Sequence, residues 1–339
     1  MLKLTREEEI AFLLSRLRPS DEDFECLRKL LTEDTSQVDY KRLLGLGFKN
    51  GVAPLWHKHL EAGGMVPDRV LARLRNVYLF SAASNLAKGA EMLKILDLLK
   101  TQGIQAIPLK GAVASDMIFQ DAGLYYGADI DFLVRPANLE ATKAILIHAG
   151  YSFFEEDMEK DWLSTHYHLC FHRDQYYVEV HWNLVKKHFH IPSDFWWEGA
   201  SVGTYEGREV LCLQPEKYLM YAIFRLFSHS FQPLRFLVLI SELANTYHDV
   251  IDWAYFKAVT AQYKMQKLSF FTLRLAHEFL GTKIPKEIAR KRIAGYDLLS
   301  DSIVNLLFRD VKRPHVMKIK YAFLLDSFSH ILLSLLRPM

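Results

Sequence analysis

Apolar residues recur at helical spacing at both ends of this chain, and give way in the middle to short runs in which apolar and polar positions alternate. The first eighty residues predict helices over 7–18, from a Ser20 N-cap to Leu31, and over 40–46, punctuated by Gly45, Gly47 and Gly51. In the middle region Leu86, Ala90, Leu93, Leu96 and Leu99 form an apolar stripe that stops at Gly103, a helix expected to pack on a sheet. A short apolar strand over 104–109, a turn at Lys110-Gly111-Ala112 and a short helix over 113–119 follow. Next come a strand over 128–134, a second amphipathic helix on Leu139, Thr142, Ile145, Leu146 and Ala149 that ends at Gly150, and a strand over 151–154. Two alternating segments, 166–172 and 176–182, complete the region. Beyond it Pro215 suits a first helical position, Pro233 opens another helix, and Asp252 caps a third at Trp253. The pattern predicts an α+β fold with a small sheet and flanking helices in three regions: 1–80 helical, 81–214 alternating and 215–339 helical.

Composition narrows the class without choosing a function. With 339 residues, 50% hydrophobic and 24% charged, the chain can bury a sizeable core and is not disordered. A formal net charge of +2 neither demands nor excludes a nucleic-acid partner. Cys26, Cys170 and Cys212 are odd in number and scattered, which suits reduced thiols in a cytoplasmic protein better than a disulfide frame. Lys3 and the charges at 6–9 interrupt any early signal-like run, and the longest apolar stretch, 321–336, is broken by Asp326, Ser327, Ser329 and His330, so no membrane span is expected. The acidic cluster at Glu155, Glu156, Asp157, Glu159 and Asp161 reads most simply as a solvated loop, and the basic runs 283–292 and 312–320 as solvated helix faces.

The chemistry concentrates in the alternating region. Asp129 and Asp131 lie one residue apart beside Ile130, Phe132, Leu133 and Val134, so on a strand both carboxylates share one face. Such a pair also occurs at strand ends facing water. Within an apolar strand, however, unpaired carboxylates cost several kcal/mol each, and a divalent cation with all-oxygen preference, magnesium or manganese, would compensate them. Upstream, the Lys110-Gly111-Ala112 turn opens a helix whose free N–H groups can face an anion. Downstream, Glu179 sits between Val178 and Val180 as a third acidic position.

This order resembles the polymerase-beta-type nucleotidyltransferase superfamily: a small-residue turn, apolar-Asp-apolar-Asp, then a third acid on a later strand. More narrowly, Leu109-Lys110-Gly111, Asp129 to Val134, Gly150-Tyr151 and Val178-Glu179-Val180-His181-Trp182 resemble a bacterial family known only as uncharacterised nucleotidyltransferases, over most of the chain from about Gly51. The resemblance implies a mixed nucleotidyltransferase-type sheet and transfer of a nucleoside monophosphate, by default AMP from ATP, to the hydroxyl of an unknown acceptor with release of pyrophosphate. It assigns Asp129, Asp131 and Glu179 to the metal and catalysis, and Lys110, Gly111, Ala112 and Arg135 to the phosphates, with Glu179 also a candidate proton acceptor. Two departures stand out: Leu124-Tyr125-Tyr126-Gly127 replaces the arginine usual before the Asp pair, and Lys-Gly-Ala replaces the Gly-Ser or Gly-Gly turn. The alternatives are a nucleotide-binding or regulatory module with weakened catalysis, a toxin-like enzyme modifying transfer RNA, and a modifier of small cationic molecules.

His166, His168, Cys170 and His172 share one face of their predicted strand, a zinc-like ligand set. Same-face positions about 7 Å apart drift too far for one tetrahedral ion to take them all. If the turn near Arg173-Asp174 holds an even number of residues, His166 or His168 flanks Glu179; an odd number turns them away, and the sequence leaves both open. His181, two positions from Glu179, is either an active-site histidine or a group that fixes Glu179. Trp182, Trp196 and Trp197 read as core.

Overall fold

The computed structural model describes residues 3–33, 38–61, 64–153, 166–309 and 324–327. The acidic cluster at 155–161, the basic run 312–320 and most of the apolar stretch 321–336 lie outside them. The chain divides into two compact units, 81–221 and the combination of 1–80 with 222–339.

The second combination is helical. Its first helices are α1 (Arg6–Leu14), α2 (Asp21–Thr32), α3 (Tyr40–Lys49) and α4 (Ala53–Leu60), and capping boxes at Thr5 with Glu8 and at Ser20 with Asp23 start the first two. A long helix, α5 (Asp68–Thr101), leads out of this unit. After the alternating region the unit resumes within α9 (Pro215–Ser228) and continues through α10 (Leu234–Thr246), α11 (Trp253–Gln262), α12 (Gln266–Leu280), α13 (Lys286–Ala289) and α14 (Tyr296–Phe308). Asp252 caps α11 by accepting from the N–H groups of Ala254 and Tyr255. Buried Asn50 ties three helices together: its Nδ2 donates to Leu46 O and Leu307 O, and its Oδ1 accepts from Leu234 N.

The 81–221 unit carries a five-stranded mixed sheet with flanking helices. Its strands are β1 (Ala106–Pro108), β2 (Ile130–Val134), β3 (Ser152–Phe153), β4 (His168–Arg173) and β5 (Tyr176–His181), in the order β1-β2-β5-β4-β3. β2 and β5 run parallel and the other neighbours antiparallel. Short helix α6 (Ala112–Met117) follows β1, and α7 (Leu139–His148) follows β2. One face of the sheet is apolar: Ile130, Phe132, Val134, Leu169, Phe171, Val178 and Val180 pack with Met92, Ile95 and Leu99 of α5 and with Leu139 and Leu146 of α7. Helix α8 (Ser193–Trp197) buries Trp196 and Trp197, while Trp182 is half-buried.

Two features depart from the sequence pattern. A separate hairpin, β6 (Ser201–Tyr205) with β7 (Arg208–Cys212), was not signalled, because Ser201, Val202, Thr204, Arg208 and Glu209 are exposed while Tyr205 and Val210 reach the core and Cys212 packs against it. The inward stripe of α5 also differs from the expected one. Leu86 is 53% exposed, while Ser81, Asn85 and Lys88 are buried ahead of Met92, Ile95 and Leu99. Leu99 lies in the core and Leu93 and Leu96 pack against it as expected, so hydrophobic periodicity failed only at Leu86 and Ala90, where polar residues take the inward positions.

Candidate active site

The face of the sheet opposite the apolar one carries the chemistry. β1 ends at Pro108, and Leu109 N–H still donates to Asp131 O at 3.0 Å, so the chain leaves the sheet directly beside Asp131. The turn that follows depends on two glycines. Gly111 has φ +68°, a conformation open to glycine, and a Cβ on Gly127 would meet Gly111 Cα at 2.4 Å. The turn after β1 and the segment entering β2 thus touch backbone to backbone.

α5 holds the segment entering β2 in place. Asn85 Nδ2 donates to Ala122 O, Tyr125 O and Ser115 Oγ, its Oδ1 accepts from Gly127 N, and Ser115 Oγ donates to Tyr125 O. Lys88 Nζ donates to Gly127 O at 2.6 Å and to Ser84 Oγ at 2.9 Å, and lies 4.8 Å from the centre of the Tyr126 ring. Sequence reasoning missed Asn85 and Lys88; the only signal was the presence of polar residues at helical spacing ahead of an apolar stripe.

β2 begins at Ile130, so Asp129 sits in the bend before the strand rather than within it, half-buried, and Asp131 alone is a strand residue. Parallel pairing sets Asp131 opposite Glu179 and Leu133 opposite His181. Lys110 Nζ lies 2.7 Å from Asp131 Oδ1 and 3.7 Å from Glu179 Oε2. His181, fully buried, points Nε2 at both carboxylates, 3.2 Å from Asp131 Oδ1 and 3.2 Å from Glu179 Oε2. Facing two carboxylates, Nε2 is the ring nitrogen placed to donate. Ligand atoms of Asp131, Glu179 and His181 lie within 4.8 Å of one another.

The electrostatics follow from this crowding. Burial, then the charges of Asp131 and Glu179, push the Asp129 carboxyl up to about 6, against the pull of Lys110 and Lys88. Burial would also raise Glu179, but the Lys110 ammonium and the hydrogen bond from His181 outweigh it and hold Glu179 well below the usual carboxylate range. Burial lowers the Lys88 ammonium, and Asp129 partly restores it. Asp131 Oδ2 is buried and has no hydrogen-bond partner among the described residues. A buried carboxylate oxygen left unpaired is expensive, which fits a site shaped for a further cation.

β4 and β5 are joined by two residues, Asp174 and Gln175, since Arg173 pairs with Tyr176. The even turn sets His168 opposite His181, Cys170 opposite Glu179 and His172 opposite Tyr177. His168, Cys170 and Glu179 form a second set of ligand atoms within 4.8 Å of one another, while His166 and His172 belong to neither set.

Of the remaining candidates, two adjoin this group and one does not. Gly111 and Ala112 lie in the turn at the start of six-residue α6. Arg135, just past β2, pairs with Asp194 at 3.1 Å and stacks over the Trp197 ring at 4.5 Å, with no contact to the acidic group.

The profile of a family described as uncharacterised nucleotidyltransferase matches residues 36–281. The chain belongs to this nucleotidyltransferase family. No curated protein and no solved structure matches it. The matched span of the nucleotidyltransferase includes the turn at Lys110-Gly111, Asp129, Asp131, Glu179 and His181. No helix among the described residues is long and apolar enough to cross a membrane.

Proposed function

We propose that this nucleotidyltransferase moves a nucleoside monophosphate from a nucleoside triphosphate, by default ATP, to a hydroxyl of its acceptor, releasing pyrophosphate. The observation that carries the reading is the Asp131–Glu179 pair: two carboxylates opposed across parallel strands, bridged by Lys110, with Asp131 Oδ2 buried and unpartnered. Asp131 and Glu179 would hold magnesium or manganese, with Asp129 beside them. When bound, such an ion stabilises charge on the phosphates and acidifies a nearby hydroxyl. Lys110, which lies against both acids, would face the triphosphate as a point charge, and the N–H groups of Gly111 and Ala112 would add donors to it. Arg135, engaged with Asp194 and Trp197, would have to leave them to contribute.

His181 fixes both carboxylates in one orientation, so its role is positioning. Glu179, held well below its usual range, is a poor proton acceptor. Asp129, the half-buried carboxylate beside them, is the other group placed to accept the acceptor hydroxyl's proton.

Incubation with each labelled triphosphate and magnesium in cell extract tests the proposal. Label from the α-phosphate should enter an acceptor with the native chain and fail to do so with Asp131→Asn. Label in RNA would identify a transfer-RNA modifier, label in a metabolite a small-molecule modifier, and transfer of the γ-phosphate a kinase. A module that binds nucleotide with weakened turnover is favoured by one observation: Tyr125 is buried against Phe119, with rings 5.1 Å apart, so this loop residue brings no cation to the site. Nucleotide binding without label transfer would select that reading.

A further inference from the structure

The second ligand set, His168, Cys170 and Glu179, suits a different class of ion from the first. A ring nitrogen, a thiolate sulfur and one carboxylate oxygen are the donors of zinc-class ions, whereas magnesium takes oxygen almost alone. The three residues are half-buried, on the same side of the sheet, and reach one another across the β4–β5 ladder. Their ligand atoms lie within 4.8 Å, against about 3.5 Å between two ligands of one tetrahedral zinc, so side-chain adjustments of at most about 1.3 Å in any separation close the set. Spacing along one strand argued against a site shared by all four residues of the His166 to His172 run. The ladder removes that objection, because only two of them are used and the third ligand comes from the neighbouring strand, directly opposite Cys170.

We infer that His168, Cys170 and Glu179 bind a thiophilic divalent ion of the zinc class, at a site that shares Glu179 with the acidic group. Three protein ligands leave one position of a tetrahedral ion for water or substrate. Sharing has a consequence: an ion held by His168 and Cys170 draws on the carboxylate that the acidic group also needs, so zinc loading and magnesium binding oppose each other. The inference rests on the ligand geometry alone and stands even if the chain transfers no nucleotide.

The test titrates the full chain, stripped with chelator, with cobalt(II) alone and with zinc alone. Cobalt should give a thiolate-to-metal charge-transfer absorption that one equivalent of zinc abolishes. Cys170→Ser should remove this absorption, His168→Ala should weaken zinc binding at least tenfold, and Cys26→Ser and Cys212→Ser should change neither. Asp131→Asn should weaken magnesium binding and leave the cobalt absorption in place, which separates this site from the proposed catalytic one. No charge-transfer band with the native chain, or a band that survives Cys170→Ser, overturns the inference. Should a variant fail to fold, X-ray absorption of the zinc-loaded native chain decides: one sulfur at about 2.3 Å supports the site, and a shell of nitrogen and oxygen only overturns it.

Discussion

The two faces of the five-stranded sheet are built from alternate residues of the same strands, yet they answer to opposite requirements. On one, Phe132, Phe171, Val178 and Val180 are closed over by helices, and their worth is the water they exclude. On the other, Asp131, Glu179, His181, His168 and Cys170 crowd ionisable groups together, with Lys110 the only nearby ammonium bridging the first two among the described residues. The contrast teaches that the apolar face supplies the stability the polar face gives up. Asp129 and Asp131 repel each other and lose hydration, and the rigid apolar packing behind β2 and β5 keeps them from relaxing apart.

The sharpest break of this comparison is a pair of neighbours. Asp131→Asn should lower nucleotidyl transfer roughly a thousandfold, since it removes charge from the proposed cation site at constant volume, while the melting temperature moves by only a few degrees. Phe132→Ala, one residue away on the other face, should instead cost about 3–5 kcal/mol of stability in denaturant titration. If Asp131→Asn unfolds the chain as severely as Phe132→Ala, the division of labour between the faces is wrong.

Gly127→Ala comes next, and probes how the polar face is assembled. A methyl group there would meet Gly111 Cα at 2.4 Å, a backbone atom that no rotamer change can move aside, so the turn carrying Lys110 must separate from the entry to β2. A loss of about 2–3 kcal/mol and a fall in activity larger than that of a surface alanine are expected.

Asp129 gives a smaller effect with a definite sign. Its folded value of about 6 stands above the ordinary 3.8, so between these values the folded chain binds more protons than the unfolded one. Its contribution to stability is therefore full below about pH 4 and is lost as pH rises toward 6. Asp129→Asn should remove this slope and gain on the order of 1–2 kcal/mol over the native chain between about pH 4 and pH 7, after allowance for solvent screening. Equal slopes for the two proteins in urea titrations at several pH values would count against the crowding of the three acids.

The smallest test concerns an ionic cluster at the edge of the apolar face. Buried Glu91 of α5 accepts from Tyr151 OH at 2.5 Å and pairs with Arg173, whose guanidinium also stacks 4.5 Å over the Tyr151 ring. Tyr151→Phe should cost about 1–2 kcal/mol by leaving Glu91 short of a donor, with transfer activity kept.

Local features were legible in advance where local physics decides them. The Ser20 and Asp252 caps, the stops at Gly103 and Gly150, and the alternation of β4 and β5 all follow from single residues or from a period of two. The β6–β7 hairpin and the inward positions of α5 before Met92 were not legible, because exposed apolar and buried polar residues defeat hydrophobic periodicity. Asn85 and Lys88 are buried for the carbonyls they satisfy, and those carbonyls lie some forty residues further along the chain.

By itself the sequence determined the α+β class, the family resemblance and which side chains share a face within each strand, since alternation is a property of one strand. Tertiary structure alone decided which faces meet. The parallel register that sets Asp131 beside Glu179 and the two-residue turn that sets Cys170 opposite Glu179 are choices between alternatives that look the same locally. Backbone ladders, a glycine-to-glycine contact and a buried helix face fix them, and these join residues far apart in the chain.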